Sequence, residues 1–381
     1  MHDERRQGRE GGVWRGAAMA LGAAALFGLS TPVAKLLLAR IDPLLLAAVL
    51  YLGCGIGLAL FRIARRLLRP GFVGEARPVR ADWPWLLGAI FFGGVLGPIL
   101  LLTGLSLTAA ATTSLLLNLE SVFTALIAWF VFREGVDRRI ALGMAAITLG
   151  AVVLTWQGSG AALLGTGGLF RGLLGPLAIA GACLAWALDN NLTRRISLLD
   201  PTFIAMLKGL TAGTVNLVLA FALAPVLGAG PLAGSLVTGG LPGEILVAGL
   251  LGMLSYGISL VLFVLALRDI GAARTGAYYA SAPFIGAILA VAVLGEPVTP
   301  QLLLAGALML AGLWLHLTER HIHEHEHMRL THDHRHHHDI HHRHDHAPGD
   351  PPGEPHSHAH AHPRLRHSHR HFPDAHHAHG H

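Results

Sequence analysis

Charge is what this chain has least of. Asp, Glu, Lys and Arg make up 13% of its 381 residues, about half the ~25% of an ordinary soluble domain. Hydrophobic residues reach 52% and mean hydropathy is +0.52, so a water-soluble globule is excluded. Cysteine is nearly absent too. Cys54 and Cys183 stand singly inside apolar runs, which excludes a disulfide framework or CxxC site and leaves them as small packing residues. Catalytic signatures are missing: there is no HExxH, no GxSxG and no phosphate-binding GxxxxGK(S/T), so nothing points to an enzyme or an ATPase module. A cleaved signal peptide is not expected either. The first apolar run is too long for an h-region and lacks a small-residue cleavage site, so it reads as the first membrane helix.

What the chain does have is long apolar runs. Ten of them, at about 14–38, 43–63, 83–106, 109–132, 139–157, 172–194, 202–224, 243–267, 271–294 and 300–318, are near or above the ~18 residues a helix needs to cross hydrocarbon. They are continuous rather than alternating, which excludes membrane strands. The 47 glycines fall largely within these runs, where small residues let helices pack without a hydrophobic drive between them.

Two stretches more than 160 residues apart read as one element written twice. Leu117–Val136, LNLESVFTALIAWFVFREGV, aligns without gaps on Tyr279–Val298, YASAPFIGAILAVAVLGEPV. Val122 meets Phe284, Ala125 meets Ala287, Glu134 meets Glu296 and Val136 meets Val298. FGLSTPVAK at Phe27–Lys35 likewise lies against WALDNNLTR at Trp186–Arg194, and Asp-Pro pairs follow at 42–43 and 200–201. The expected organisation is therefore a short cytoplasmic segment at 1–12, five-helix repeats at 13–160 and 161–318, and a tail at 319–381. Loop charge orients them. Seventeen arginines, from Arg5 through the Arg62–Arg80 cluster to Arg133, Arg138, Arg139, Arg194, Arg195, Arg268 and Arg274, fall on one side, against Lys35, Arg40 and Arg171 on the other. Positive charge marks the cytoplasmic side, so both termini are expected there. Five helices per half is odd, so the second repeat runs inverted relative to the first.

The segments NLESVFTALIAWFVFRE, WALDNNLTRR, DPTFIAMLKGL and RTGAYYASAPFIGAILAVAVLGE resemble the EamA-type permeases of the drug/metabolite transporter superfamily, over about residues 13 to 318. The resemblance implies an all-α integral membrane protein and transport of a small solute, without naming which. One departure is visible. The second repeat has Pro283 where the first has Ser121, beside Glu120, so these two helices should differ in kink and polarity.

Ionisable groups deep in a bilayer cost about 2.5–3.5 kcal/mol or more, which makes each a functional candidate. Glu120 lies close to the midplane of the fourth run, and its repeat mate is Ala282. It would bind a cationic substrate or carry a coupling proton; the bland alternative is a structural carboxylate hydrogen-bonded to Asn118, Ser121 or a neighbouring helix. Asp189 and Lys208 flank a cytoplasmic turn at matching depth, which predicts an ion pair, either a packing device or a gate or substrate contact near the inner mouth. Asn190 and Asn191 add amides beside it. Tyr278, Tyr279, Ser281 and Trp186 would pack helices or line a cavity. Glu134 and Glu296 read as interfacial caps or loop anchors.

From His321 the composition changes, with 24 of the 26 histidines in the last 61 residues. The tail has no apolar period and should be disordered without a ligand. Clusters at His321, His323, His325 and His327, at His332, His334, His336, His337 and His338, at His341, His342, His344 and His346, and at His356, His358, His360 and His362 supply imidazoles suited to Zn, Ni, Co or Cu. No cofactor is required for the membrane part.

The expected function is secondary-active export of a small metabolite or drug-like solute across the bacterial plasma membrane, by alternating access, with a metal-binding regulatory tail. Efflux of a divalent metal fed by the tail and a membrane-anchored metal sensor are the alternatives. The expected partners are a small-molecule solute, the lipid bilayer and transition-metal ions, and not nucleic acid.

Overall fold

The computed structural model describes residues 2–68, 78–131, 138–156, 168–194, 196, 200–223, 242–317, 322–327, 330–336, 356–362 and 365–370. The membrane part is all helical. Its elements are α1 His2–Leu37, α2 Pro43–Leu68, α3 Trp83–Ile90, α4 Gly97–Leu107, α5 Ala110–Leu116, α6 Leu119–Phe130 and α7 Arg138–Thr155. Then follow α8 Gly168–Arg194, α9 Pro201–Leu223, α10 Pro242–Gly252, α11 Ser259–Tyr279, α12 Ala282–Leu294 and α13 Pro300–Leu317. Among the described residues nine helical runs are long and apolar enough to cross a bilayer, and a further apolar helix, Pro300–His316, is shorter.

The Asp-Pro pairs start helices. Asp42 Oδ1 accepts the Leu44 N–H at 2.9 Å, and Asp200 Oδ1 accepts those of Thr202 at 2.9 Å and Phe203 at 3.2 Å. Each Asp caps orphan donors while the following Pro, having no N–H, occupies the first helical position. Asp200 is also tied to α2, because Arg62 Nη1 reaches its Oδ2 at 2.5 Å and the Thr202 hydroxyl at 2.6 Å. Burial alone would raise the Asp200 carboxyl, but hydrogen bonds from Thr202 and Arg62 outweigh it and hold the group below the ordinary carboxylate range.

Helix α1 packs on α11 and α12; α8 packs on α3, α4 and α6; α2 packs on α9 and α10; α7 packs on α13. Where α2 crosses α9 the backbones nearly touch. A Cβ on Gly55 would lie 2.5 Å from the Leu210 nitrogen, and one on Gly209 would lie 2.6 Å from the Gly55 nitrogen. Close approach of small residues is how helices associate in lipid. Large apolar side chains such as Leu60, Leu142, Val218, Ile288, Leu303 and Trp314 stay exposed on the outside, as a lipid-facing girdle requires.

Two predicted boundaries are corrected. The run at 109–132 is not one helix, since a turn at Leu117–Asn118 divides α5 from α6. Asn118 Nδ2 donates to Leu115 O at 2.8 Å and Ser121 Oγ to Asn118 O at 2.7 Å. Such side chains offer the backbone an alternative to the helical ladder. A matching turn at Ala280–Ser281 precedes Pro283, with Ser281 Oγ on Tyr278 O at 2.6 Å. Conversely, the break expected between the eighth and ninth runs, at 267–271, is absent, and α11 continues to Tyr279. At the equivalent break in the first half, Thr108–Ala109, the freed N–H groups of Ala110 and Ala111 are taken by Glu296 at 2.6 and 2.7 Å. Lys35 Nζ clasps the other side, donating to Leu105 O at 2.6 Å and Thr108 O at 2.7 Å. Glu296 is thus a loop anchor, as expected; Glu134 lies outside the described residues.

Four short segments of the tail are described. β1 Ile322–His327 pairs antiparallel with β4 Leu365–Arg370, and β2 Leu330–His336 with β3 His356–His362. The HxHxH alternation has the period of a strand, which a search for apolar periodicity overlooks. His321, His337, His338, His341, His342, His344 and His346 lie outside the described residues.

Candidate functional site

Both long helices that precede the broken ones contain a single π turn, Phe91–Leu96 between α3 and α4 and Met253–Ile258 between α10 and α11. In each, an N–H reaches back five residues, Gly97 to Phe92 O and Ser259 to Leu254 O. A π turn frees backbone groups that neighbouring helices must satisfy. In the first, Gly93 O accepts from Tyr51 Oη at 2.6 Å and Trp186 Nε1 at 3.1 Å, and Gly94 O accepts from Asn216 Nδ2 at 3.0 Å. In the second, Ser255 Oγ and Ser259 Oγ donate to Leu26 O at 2.7 Å and Ala23 O at 2.9 Å on α1.

Between these π turns and the helix breaks lies a cavity of about 440 Å3, within the range of small-molecule sites. Its charged wall is Glu120 in the first turn of α6, Asp189 and Asn190 on α8, and Lys208 on α9. Asn190 Nδ2 donates to Glu120 Oε1 at 2.7 Å. Lys208 Nζ pairs with Asp189 Oδ2, and Thr193 Oγ1 donates to Asp189 Oδ1 at 3.1 Å. The first turn of a helix suits a carboxylate, because its free N–H groups and dipole are positive there. The opposite wall is aromatic. Phe27 meets Tyr256 at 5.9 Å and Tyr279 at 5.8 Å, Tyr51 meets Tyr256 at 5.6 Å, and Phe263 meets Tyr279 at 4.9 Å between ring centroids.

The structure brings together Glu120, Asp189, Asn190, Lys208, Tyr279 and Trp186 in one cavity. Asp189 and Lys208 share this chamber with Glu120. Asn191 is turned away, buried with its Nδ2 on Ala187 O at 2.8 Å. Tyr278 is 37% exposed and does not line the cavity. One residue further round the helix is about 100°, enough to carry a side chain off the lined face. Residues that the sequence did not flag are Phe27, Tyr51, Tyr256, Phe263, Ser255, Ser259 and Gly93. Lone aromatics and hydroxyls in apolar helices carry no periodic signal. The GG pair at 93–94, inside an otherwise large-residue run, was the available hint. Cys54, expected as packing, is buried and touches the cavity edge.

Apolar spans enclosing a polar and aromatic chamber define a multi-pass membrane protein with a site sized for a small molecule. The chain belongs to the EamA-like transporter family, whose model matches it twice, at 14–156 and 173–318. An uncharacterized transporter of Methanothermobacter thermautotrophicus is 31% identical over 298 residues, covering 76% of this chain and 82% of that protein. A probable 4-amino-4-deoxy-L-arabinose-phosphoundecaprenol flippase subunit ArnE of Pseudomonas fluorescens is 33% identical over 111 residues, 28% of this chain and 94% of that one. A solved structure superposes with TM-score 0.54 at 21% identity over 78% of this chain and 96% of its own length, a likeness of fold alone.

Proposed function

We propose that this transporter is a secondary carrier that exports a small organic solute, a metabolite or drug-like compound, across the bacterial plasma membrane. The observation that carries this is the convergence of Glu120, Asn190 and the Asp189–Lys208 pair with an aromatic wall in one chamber. The chamber works by alternating access between two inverted five-helix repeats, 13–160 and 161–318. Several pairings support the repeat. The π turns at Phe91–Leu96 and Met253–Ile258 are 162 residues apart, the offset of the paired sequences. Turns at 117–118 and 280–281 interrupt the matching helices, and packing of α1 on α11 and α12 mirrors that of α8 on α4 and α6. Discontinuous helices at a repeat interface are where carriers bind cargo. The arginine bias of the loops argues for cytoplasmic termini.

Counterflow in proteoliposomes tests the reading. Glu120→Gln is expected to lower flux at least about tenfold, equivalent to about 1.4 kcal/mol, while truncation after Arg320 leaves flux in place. Loss of all flux on truncation with no effect of Glu120→Gln sinks it. Efflux of a divalent metal as cargo is less well supported: among the described residues no group of three or more His, Cys, Asp or Glu in the helical part could hold an ion.

The tail serves instead as a cytoplasmic metal buffer or sensor. In its strand register His332, His334 and His336 stand opposite His360, His358 and His356, and His323 and His325 opposite His369 and His367. The dense HxH and HH spacings, with carboxylates interleaved, supply imidazoles suited to Zn or related ions. Full-length protein should bind several equivalents of Zn or Ni, and the truncated form none. Ala359→Pro removes no histidine but interrupts the ladder; it should weaken binding about tenfold (about 1.4 kcal/mol). Unchanged affinity would mean the histidines act without register.

A further inference from the structure

We infer that the cargo of the central chamber is a monovalent organic cation, an amine or ammonium on an apolar or aromatic body, with Glu120 as its counter-ion. This rests on the carrier reading above.

The first support is the charge balance of the walls. Asp189 is paired with Lys208 and bonded by Thr193, so those two charges cancel. Among the described residues Glu120 is bonded through Oε1 alone, and to an uncharged amide. Among the described residues no Lys, Arg or His pairs with it. The chamber therefore presents one carboxylate whose positive partner is missing from its walls. A buried charge is tolerated when it is paired.

The second support is the inventory of hydrogen-bond donors. Tyr51 Oη and Trp186 Nε1 donate to Gly93 O, and Ser255 Oγ and Ser259 Oγ to α1 carbonyls. Most of the donors that line the chamber are thus engaged, with backbone or, for the Tyr256 and Tyr279 hydroxyls, with Ser30 and Ser259. Among the described residues no donor lies on the acceptor Glu120 Oε2. A site with spare acceptors and spent donors selects a ligand that donates, as ammonium does and a carboxylate cannot.

The third support is the aromatic wall. Phe27, Tyr51, Tyr256, Phe263 and Tyr279 form a chain of ring contacts. Ring faces are negative and attract cations, more strongly where water is excluded. An anion would meet Glu120 and these faces, and among the described residues the lining cation, Lys208, is already paired with Asp189. A divalent metal would find a single available carboxylate where it needs four to eight ligands.

The test is calorimetric binding to full-length protein in detergent with three probes of one shape: 2-phenylethylamine, 2-phenylethanol and 3-phenylpropionate. The amine should bind at least about tenfold more tightly than the alcohol, a step of about 1.4 kcal/mol, and the acid more weakly than either. Glu120→Gln should bring the amine down to the alcohol, and Glu120→Asp should keep the order, which separates lost charge from lost folding. Equal or tighter binding of the alcohol or the acid overturns the inference, as does no amine binding or a preference unchanged in Glu120→Gln. Counterflow of the same probes separates the two readings. Flux of a neutral or anionic solute without amine binding sinks the cation and keeps the carrier; amine binding without flux of any solute sinks the carrier and keeps the site.

Discussion

Lys208→Ala is expected to destabilise the folded protein by about 3–5 kcal/mol, because it strands a buried carboxylate. The Asp189 side chain is 8% exposed and its partner 20%, so neither ion is rescued by bulk water. Its remaining donor is a threonine hydroxyl at 3.1 Å, too little to replace an ammonium. The same physics predicts the opposite for removal of both charges. Asp189→Leu with Lys208→Met keeps the volume and deletes two desolvation costs, so stability should return to within about 1–2 kcal/mol of the parent. Reversible unfolding in mixed micelles measures both. A loss below about 1 kcal/mol in Lys208→Ala would mean that Asp189 is solvated through the chamber.

Gly93→Ala should be nearly as damaging, through a single methyl group. A Cβ there would fall on Asp189 Oδ2 and within 2.5 Å of Lys208 Nζ, driving into the ion pair itself. The backbone cannot easily retreat, since its carbonyl is held by Tyr51 and Trp186. Overpacking of this kind costs about 1–3 kcal/mol, and here it also reshapes the chamber, so flux should fall by more than about tenfold (about 1.4 kcal/mol). Gly249→Ala is the matched control, because its Cβ would meet nothing within 4 Å. Ala favours a helix over Gly by about 1 kcal/mol, so Gly249→Ala should be neutral or stabilising; Gly93→Ala matching it would show that the collision is relieved without cost.

Which groups could be singled out beforehand follows from what a bilayer penalises. Glu120, Asp189 and Lys208 were legible as residues because charge in an apolar run is costly and needs a reason. The ion pair was legible as well, from two opposite charges at matching depth across a turn. Their sharing of one chamber was not, since depth along two helices says nothing about rotation around them. Asn191 and Tyr278 show that limit: each adjoins a lining residue in sequence, and each points elsewhere. The uninterrupted α11 shows another, because a loop inferred from charged residues need not break the helical ladder.

The sequence by itself determined the solvent and the grammar of this protein: apolar runs long enough for hydrocarbon, a repeated element, Asp-Pro helix starts and the charges that lipid cannot tolerate. These are local or additive properties, and each depends on residue type and spacing. Only the tertiary structure decided how that material becomes a site. The π turns free carbonyls that Tyr51, Trp186 and Asn216 come from other helices to satisfy. The aromatic wall gathers rings from α1, α2 and the α10–α11 region. Pairing Lys208 with Asp189 leaves Glu120, among the described residues, as the chamber carboxylate without a paired cation. Which charges neutralise each other depends on distances of a few ångströms between helices, and packing alone sets those.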